Sequence, residues 1–302
     1  MTRLVALALA AVAFALVLSS SSRPAGEPSL AAYRGLATWI DIYDPGPWRA
    51  PERTVESMKR RGVRALYLET GNYRQRVDVF KPAAVARFIE AAHAAGLQIV
   101  AWYLPSFANP ARDLRRSLAA VRFRTPRGQR FDSFALDIEA SVVPNVALRT
   151  RRLLSLSAAI RQAAGPLVPL GAIIPSPRGM ELLPKYWPRF PFADLAESYD
   201  VFLPMGYFTY RTRNLRGAYD YTVRNAALIR RATGDPSVPI HLIGGIADAA
   251  STAQVRGFVR AARACGVVGG SLYDFGTTTP GHWASLAALK KPPSSASSTA
   301  CY

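Results

Sequence analysis

Two carboxylates, Asp137 and Glu139, stand two residues apart in the run Phe131-Asp132-Ser133-Phe134-Ala135-Leu136-Asp137-Ile138-Glu139. The run reads as a β-strand, in which side chains alternate faces, so Ala135, Asp137 and Glu139 share one face. The backbones of the two acids are then about 6–7 Å apart. Carboxylates this close repel each other when both are ionised, so one of them tends to hold its proton. A protonated acid beside an ionised one is the pair that general-acid cleavage of a glycosidic bond requires. Proximity to Asp137 and partial burial predict that Glu139 takes up its proton more readily than an ordinary glutamate. The alternative is that both acids merely cap a strand, but inward-facing carboxylates are costly unless paired or used.

Such a pair needs a scaffold that turns it into a pocket. Short apolar or β-branched runs recur at residues 35–42, 65–70, 97–104, 131–139, 168–174, 199–207, 239–245 and 267–275. Between them lie helix patterns with matching punctuation. Pro51 opens one and Gly62 closes it; Pro82 and Gly96 bracket the next; Asn109, Asn145 and Ser251 sit at cap positions; Gly165 ends the fourth. Eight alternating strand and helix units predict a single-domain (β/α)8 TIM barrel. An open doubly wound sheet would need no eighth strand, and the phosphate-binding glycine loop after its first strand is absent. Active sites of such barrels form at the C-terminal ends of the strands. Acids and rings collect at those ends here: Asp41, Glu69, Trp102-Tyr103, Asp137 and Glu139, Met205 and Tyr207, Tyr273-Asp274. Sugars are held by rings stacked on their apolar faces and by carboxylates that accept from hydroxyls. Glu139 and Asp137 are therefore the catalytic candidates, and Asp41, Glu69, Tyr103, Met205 and Asp274 the substrate-binding ones. The segment 175–192, with Tyr186, Trp187 and Phe190, reads equally as a substrate platform or as a packed rigid loop.

The strand-four residues resemble the D-x-x-D-x-D-x-E signature of glycoside hydrolase family 18, the chitinase-type barrels, with Asp132, Asp137 and Glu139 at three of its four acidic positions. Met205-Gly206-Tyr207 is similar to the Met-x-Tyr of that family's sixth strand. The resemblance implies Glu139 as general acid, with Asp137 and Tyr207 orienting the substrate's own acetamido group as nucleophile. The chain departs from the pattern at Ala135, the motif's second acid, and at Phe208, where an aspartate often follows the tyrosine. Tyr273 stands near the place of the tryptophan expected on strand eight. A strand-four Asp-x-Glu also resembles the family 25 lysozymes, whose first-strand aspartate Asp41 would match.

The ends and the composition bound the rest. Residues 1–22 combine a short basic lead, an apolar run at 4–18 and four serines, the layout of a secretory signal; an uncleaved N-terminal anchor is the alternative. Either way the expected location is secreted or cell-surface. The barrel domain is expected over 33–291, followed by a disordered tail at 292–302 rich in Pro, Ser and Thr. The formal charge of +18 comes without an aromatic-basic module, so nucleic acid is not expected as a partner. An anionic cell-wall polymer fits an exported basic protein, although a coding bias for arginine gives the same composition. An exported protein can form a disulfide, but Cys301 sits in the loose tail and Cys265 ends an apolar helix pattern, so a buried thiol is the expected role over a bond between the two. His93, His241 and His282 form no metal motif, and no cofactor or metal is expected. The expected activity is cleavage or processing of a polysaccharide or oligosaccharide, N-acetylated or of the cell-wall type. A binding-only, lectin-like barrel and an exported scaffold are the competing readings.

Overall fold

A computed structural model describes residues 28–291 and 301. The expected signal segment, with its anchor alternative, and most of the expected disordered tail lie outside the described residues. Eight parallel strands close into a ring in sequence order: β1 (Gly35–Ile40), β2 (Ala65–Asn72), β3 (Gln98–Leu104), β4 (Ser133–Asp137), β5 (Leu170–Pro175), β6 (Val201–Met205), β7 (His241–Ile246) and β8 (Gly269–Tyr273). β8 returns to β1 with Leu36 opposite Gly270, which completes the barrel.

The punctuation acts where the sequence places it. Helices Pro51–Arg61 and Pro82–Ala95 start on proline and end at Gly62 and Gly96, whose φ values of 78° and 75° exclude most side chains. Asn109 and Asn145 accept backbone N–H bonds from Arg112 and Leu148, and Ser251 forms a capping box with Gln254. The β5–β6 connection carries two short helices, Pro177–Leu182 and Phe192–Ala196, in place of one long one.

Alternation along the strands divides the core in two. Ala37, Trp39, Tyr67, Val100, Trp102, Ala135, Ile173, Leu203 and Met205 fill the barrel interior, while the opposite faces pack against the helices. The turn Leu30–Tyr33 plugs the N-terminal end of the barrel. Tyr33 is fully buried there, and its hydroxyl hydrogen-bonds Ser133 Oγ at 2.5 Å. Leu30 and Ala32 pack with the barrel-interior side chains.

The expectation of a free Cys265 thiol and a loose Cys301 is overturned. The two form a disulfide across 36 residues, with Cα atoms 5.3 Å apart. Arg230 holds the site by donating to the carbonyl oxygens of Cys265 (2.8 Å) and Cys301 (3.1 Å). The tail's polar composition hid this anchor, because composition says nothing about a single residue's partner.

Candidate active site

β4 brings Asp137 to the C-terminal mouth of the barrel on the interior face, above Ala135. Glu139 follows just past the strand end, where Ile138 N still donates to Ile173 O at 2.7 Å and prolongs the ladder. Met205 closes β6 on the same interior, and Tyr207 follows two residues later. Trp102 of β3 and Tyr273 of β8 add rings, and Glu69 of β2 adds a third acid. Together with Tyr43, Asn72, Tyr73, Arg74 and Ser141 they line a cavity of about 340 Å³. Asp137, Glu139, Tyr207, Glu69 and Met205 thus all line one pocket.

The floor of this pocket is polar and underfilled. Asp137 is 6% exposed, yet its Oδ1 has no hydrogen-bond partner among the described residues. Trp102 Nε1, also buried, likewise lacks one. Buried polar atoms are nearly always satisfied, and an unpaired one costs roughly 1–3 kcal/mol, so these two atoms are free to hydrogen-bond a group that enters the cavity.

Burial raises the proton affinity of all three acids. Asp137 is pushed well above the ordinary aspartate range by burial, then by the charges of Glu139 and Glu69. Glu139 is raised by burial, with the Arg74 guanidinium pulling the other way. Glu69, 1% exposed, is raised to about 7 by burial despite accepting from Ile42 N (3.0 Å) and Asn72 Nδ2 (2.9 Å). Tyr207 is raised by burial and by the nearby acids, so its hydroxyl keeps its proton and remains a donor. The site can therefore present a protonated carboxyl, an ionisable neighbour and a phenolic donor around one cavity.

Three of the expected substrate contacts do not line this cavity. Tyr103 points outward into the helix layer, where its hydroxyl donates to buried Asp113 at 2.8 Å. Its neighbour Trp102 takes the inward position, because β3 pairs Trp102 with Ala135. Asp41 accepts from the Tyr273 hydroxyl at 2.6 Å and fixes that ring, which does line the pocket. Asp274 turns into its own loop and accepts from Thr277 Oγ1 (2.8 Å) and Thr277 N (3.0 Å). Asp132, the motif's first acid, lies at the opposite end of the barrel and bonds Ile99 N (2.7 Å) and His93 Nε2 (3.1 Å).

A second cavity of about 200 Å³ adjoins the first and shares Glu139, Met205 and Tyr207 with it. Tyr186, Tyr210, Tyr221 and Arg211 line its far side. The 175–192 segment does two jobs: Trp187 and Phe190 are packed inside, whereas Tyr186 faces the cavity and donates to the Glu139 backbone carbonyl. Sequence reasoning missed Trp102 as an inward residue and gave no sign of Asn72, at the end of β2, or of Arg74 and Tyr210, which follow strand ends in segments without periodicity.

No family model matches the chain, and no curated protein resembles it in sequence. Solved structures do resemble it in shape. An endo-β-1,4-mannanase from Thermotoga petrophila superposes with a TM-score of 0.62 at 12% identity, over 80% of this chain and 68% of that one. A chitinase from Bacteroides thetaiotaomicron gives 0.61 at 9% identity, over 87% and 97%. A family 18 N-acetylglucosaminidase from Paenibacillus barengoltzii gives 0.58 at 14% identity, over 85% and 99%. At these identities the likeness is one of fold: the chain shares the (β/α)8 barrel of these structures.

Proposed function

We propose that the protein is an exported glycoside hydrolase that cleaves an N-acetylated or wall-type glycan, with Glu139 as the general acid. The observation that carries this reading is the pair Asp137–Glu139 at one cavity, the first buried and the second half-buried, both raised, with Asp137 Oδ1 unpartnered. In this reading Glu139 gives its proton to the glycosidic oxygen as the bond from that oxygen to the anomeric carbon breaks. By resemblance to family 18, the substrate's acetamido oxygen closes on the anomeric carbon. Asp137 accepts from the acetamido N–H, and the Tyr207 hydroxyl donates to its oxygen. Water then opens the ring as Glu139 takes its proton, which restores the acid. Trp102 and Tyr273 supply ring faces beneath the sugar.

Export is part of the same proposal. The disulfide Cys265–Cys301 supports it, since such bonds persist in oxidising compartments. Mass spectrometry of the protein from its native host should find an N-terminus near residue 22.

Ala135, in place of the motif's second acid, favours a binding-only barrel; the retained Glu139 favours catalysis. A glycan panel assayed with wild type and Glu139→Gln decides between them. Release of reducing ends by wild type alone supports the hydrolase, and sugar binding with no release by either supports the lectin-like barrel.

A further inference from the structure

Several arginines around the mouth are matched with acids. Arg115 and Arg116 pair with Asp78, and Arg178 and Arg224 share Glu181. Arg74 and Arg211 differ. Each lines one of the two cavities, and neither has a carboxylate at ion-pair distance among the described residues. Arg74 is nonetheless held in place: its Nε donates to the Tyr73 hydroxyl at 3.1 Å, its guanidinium lies 5.2 Å from that ring, and its backbone N–H donates to Asn72 Oδ1. Arg211 follows the turn Phe208–Tyr210 and is fixed at its backbone by Phe208 O.

Three of the four rings around these two cations are exposed, and Tyr73 is half-buried. Tyr43 (61%) and Tyr73 flank Arg74, while Tyr186 (37%) and Tyr210 (67%) flank Arg211. Glu139, Met205 and Tyr207 form the partition shared by both cavities. The cleft thus offers stacking faces and one unmatched guanidinium on each side of the proposed acid.

Resting on the reading of this mouth as a glycan site, we propose that its substrate is an anionic glycan spanning both cavities, whose carboxylate or phosphate groups are received by Arg74 and Arg211 on either side of the bond at Glu139. Guanidinium forks match both anions in bidentate geometry. The excess of 18 positive charges adds long-range attraction for such a polymer. Repulsion from the mouth's acids is reduced, because burial favours their neutral forms.

The test is calorimetric binding to the full chain as Glu139→Gln, which halts turnover and removes the titrating neighbour of Arg74. Three probes of equal length are compared: an N-acetylglucosamine oligomer, an oligomer alternating N-acetylglucosamine with glucuronate, and a repeating sugar-phosphate oligomer. At least one charged probe should bind about tenfold more tightly than the neutral one at low salt, and the advantage should shrink as the Debye length falls. Arg74→Gln with Arg211→Gln should abolish the advantage, and the paired lysine variant should restore part of it. Both side chains are exposed, and thermal melts check that each variant folds. Whichever charged probe shows the advantage identifies the anion. Equal affinity for the neutral probe, or an advantage that survives the double glutamine variant, overturns the anionic assignment and leaves the glycan site standing. If none of the three binds, both fall.

Discussion

The two ends of β4 carry the same side chain in opposite circumstances. Asp132, at the N-terminal end, accepts from Ile99 N and His93 Nε2 through one oxygen and stitches β4 to β3 and to helix Pro82–Ala95. Asp137, at the C-terminal end, is buried with an oxygen that nothing in the described chain satisfies. The contrast extends around the barrel. At the lower end, Asp200 accepts from Leu170 N and Arg161, and Tyr33 is bonded to Ser133. At the mouth, three acids crowd one cavity with raised proton affinities. An acid whose bonds are complete contributes to stability, whereas one left open is costly to the fold and available to a ligand.

The strongest way to break this contrast is Glu139→Gln. The side chain keeps its shape and loses the proton donor, so turnover should fall by at least about a hundredfold, the usual share of general-acid catalysis. Thermal stability should be unchanged or higher, since a half-buried carboxyl is replaced by a neutral amide. An active preparation that keeps its full rate as Glu139→Gln would move the acid elsewhere in the mouth, with Glu69 the first candidate.

Removing the disulfide probes the lower end instead. Cys265 caps helix Thr252–Ala264 just before β8, so the bond ties the tail to the stable end of the barrel. By loop-closure entropy, Cys301→Ala should cost about 2–4 kcal/mol in denaturant unfolding. Turnover at temperatures where the variant remains folded should match wild type. A selective loss of kcat in folded protein would show that the two ends are coupled.

How much of this contrast could be read in the sequence depends on whether partners are local. The barrel was legible because proline, glycine and cap residues mark five of its helices, and β4's alternation places Asp137 and Glu139 on one face whatever the neighbours. Tyr103 was misplaced because Trp102-Tyr103 gives the strand end but not its parity. Register with β4 decides that, and Asp113, which takes up the tyrosine hydroxyl, lies in the following helix. Asp274 looked like Asp137 in sequence, yet a four-residue turn with Thr277 satisfies it. Arg74 and Tyr210 follow strand ends in irregular loops, where no periodicity points inward. The motif's first acid, Asp132, was found by spacing, but spacing could not tell that it serves the far end.

A pH measurement sharpens the comparison at intermediate size. Glu69 has a folded pKa of about 7 against an ordinary value of 4.5. Between those values the folded chain keeps a proton that the unfolded chain has released, so stability falls as pH rises through this window and levels off above it. Asp137 and Glu139 are raised as well and contribute with the same sign. The slope amounts to at most about 3 kcal/mol for Glu69 alone across the window. Urea unfolding at pH 5 and pH 8 should show a smaller difference for Glu69→Gln than for wild type. A pH 5 to pH 8 difference as large in Glu69→Gln as in wild type would contradict the raised Glu69, whereas buried His241, lowered to about 4, acts with the opposite sign in both.

The smallest effect is the most direct test, because it sets the two aspartates of β4 against each other with the same substitution. Asp132→Asn keeps one acceptor oxygen for Ile99 N and removes the charge that strengthens that bond and the one from His93. Hydrogen bonds to a charged acceptor exceed neutral ones by roughly 1 kcal/mol, so stability should fall by about that amount. Turnover should hardly move, since Asp132 sits at the opposite end of the barrel from the cavity. Asp137→Asn removes a buried, unsatisfied acid from its unfavourable surroundings and should leave stability equal or higher, increasingly so above neutral pH. Its turnover should fall, and most on N-acetylated substrates if the acetamido group is the nucleophile. Paired melts at pH 8 therefore carry opposite signs for one chemical change at two ends of one strand. If both variants melt below wild type by the same amount, Asp137 is as structurally committed as Asp132, and the open oxygen at the mouth is not a site held ready for a ligand.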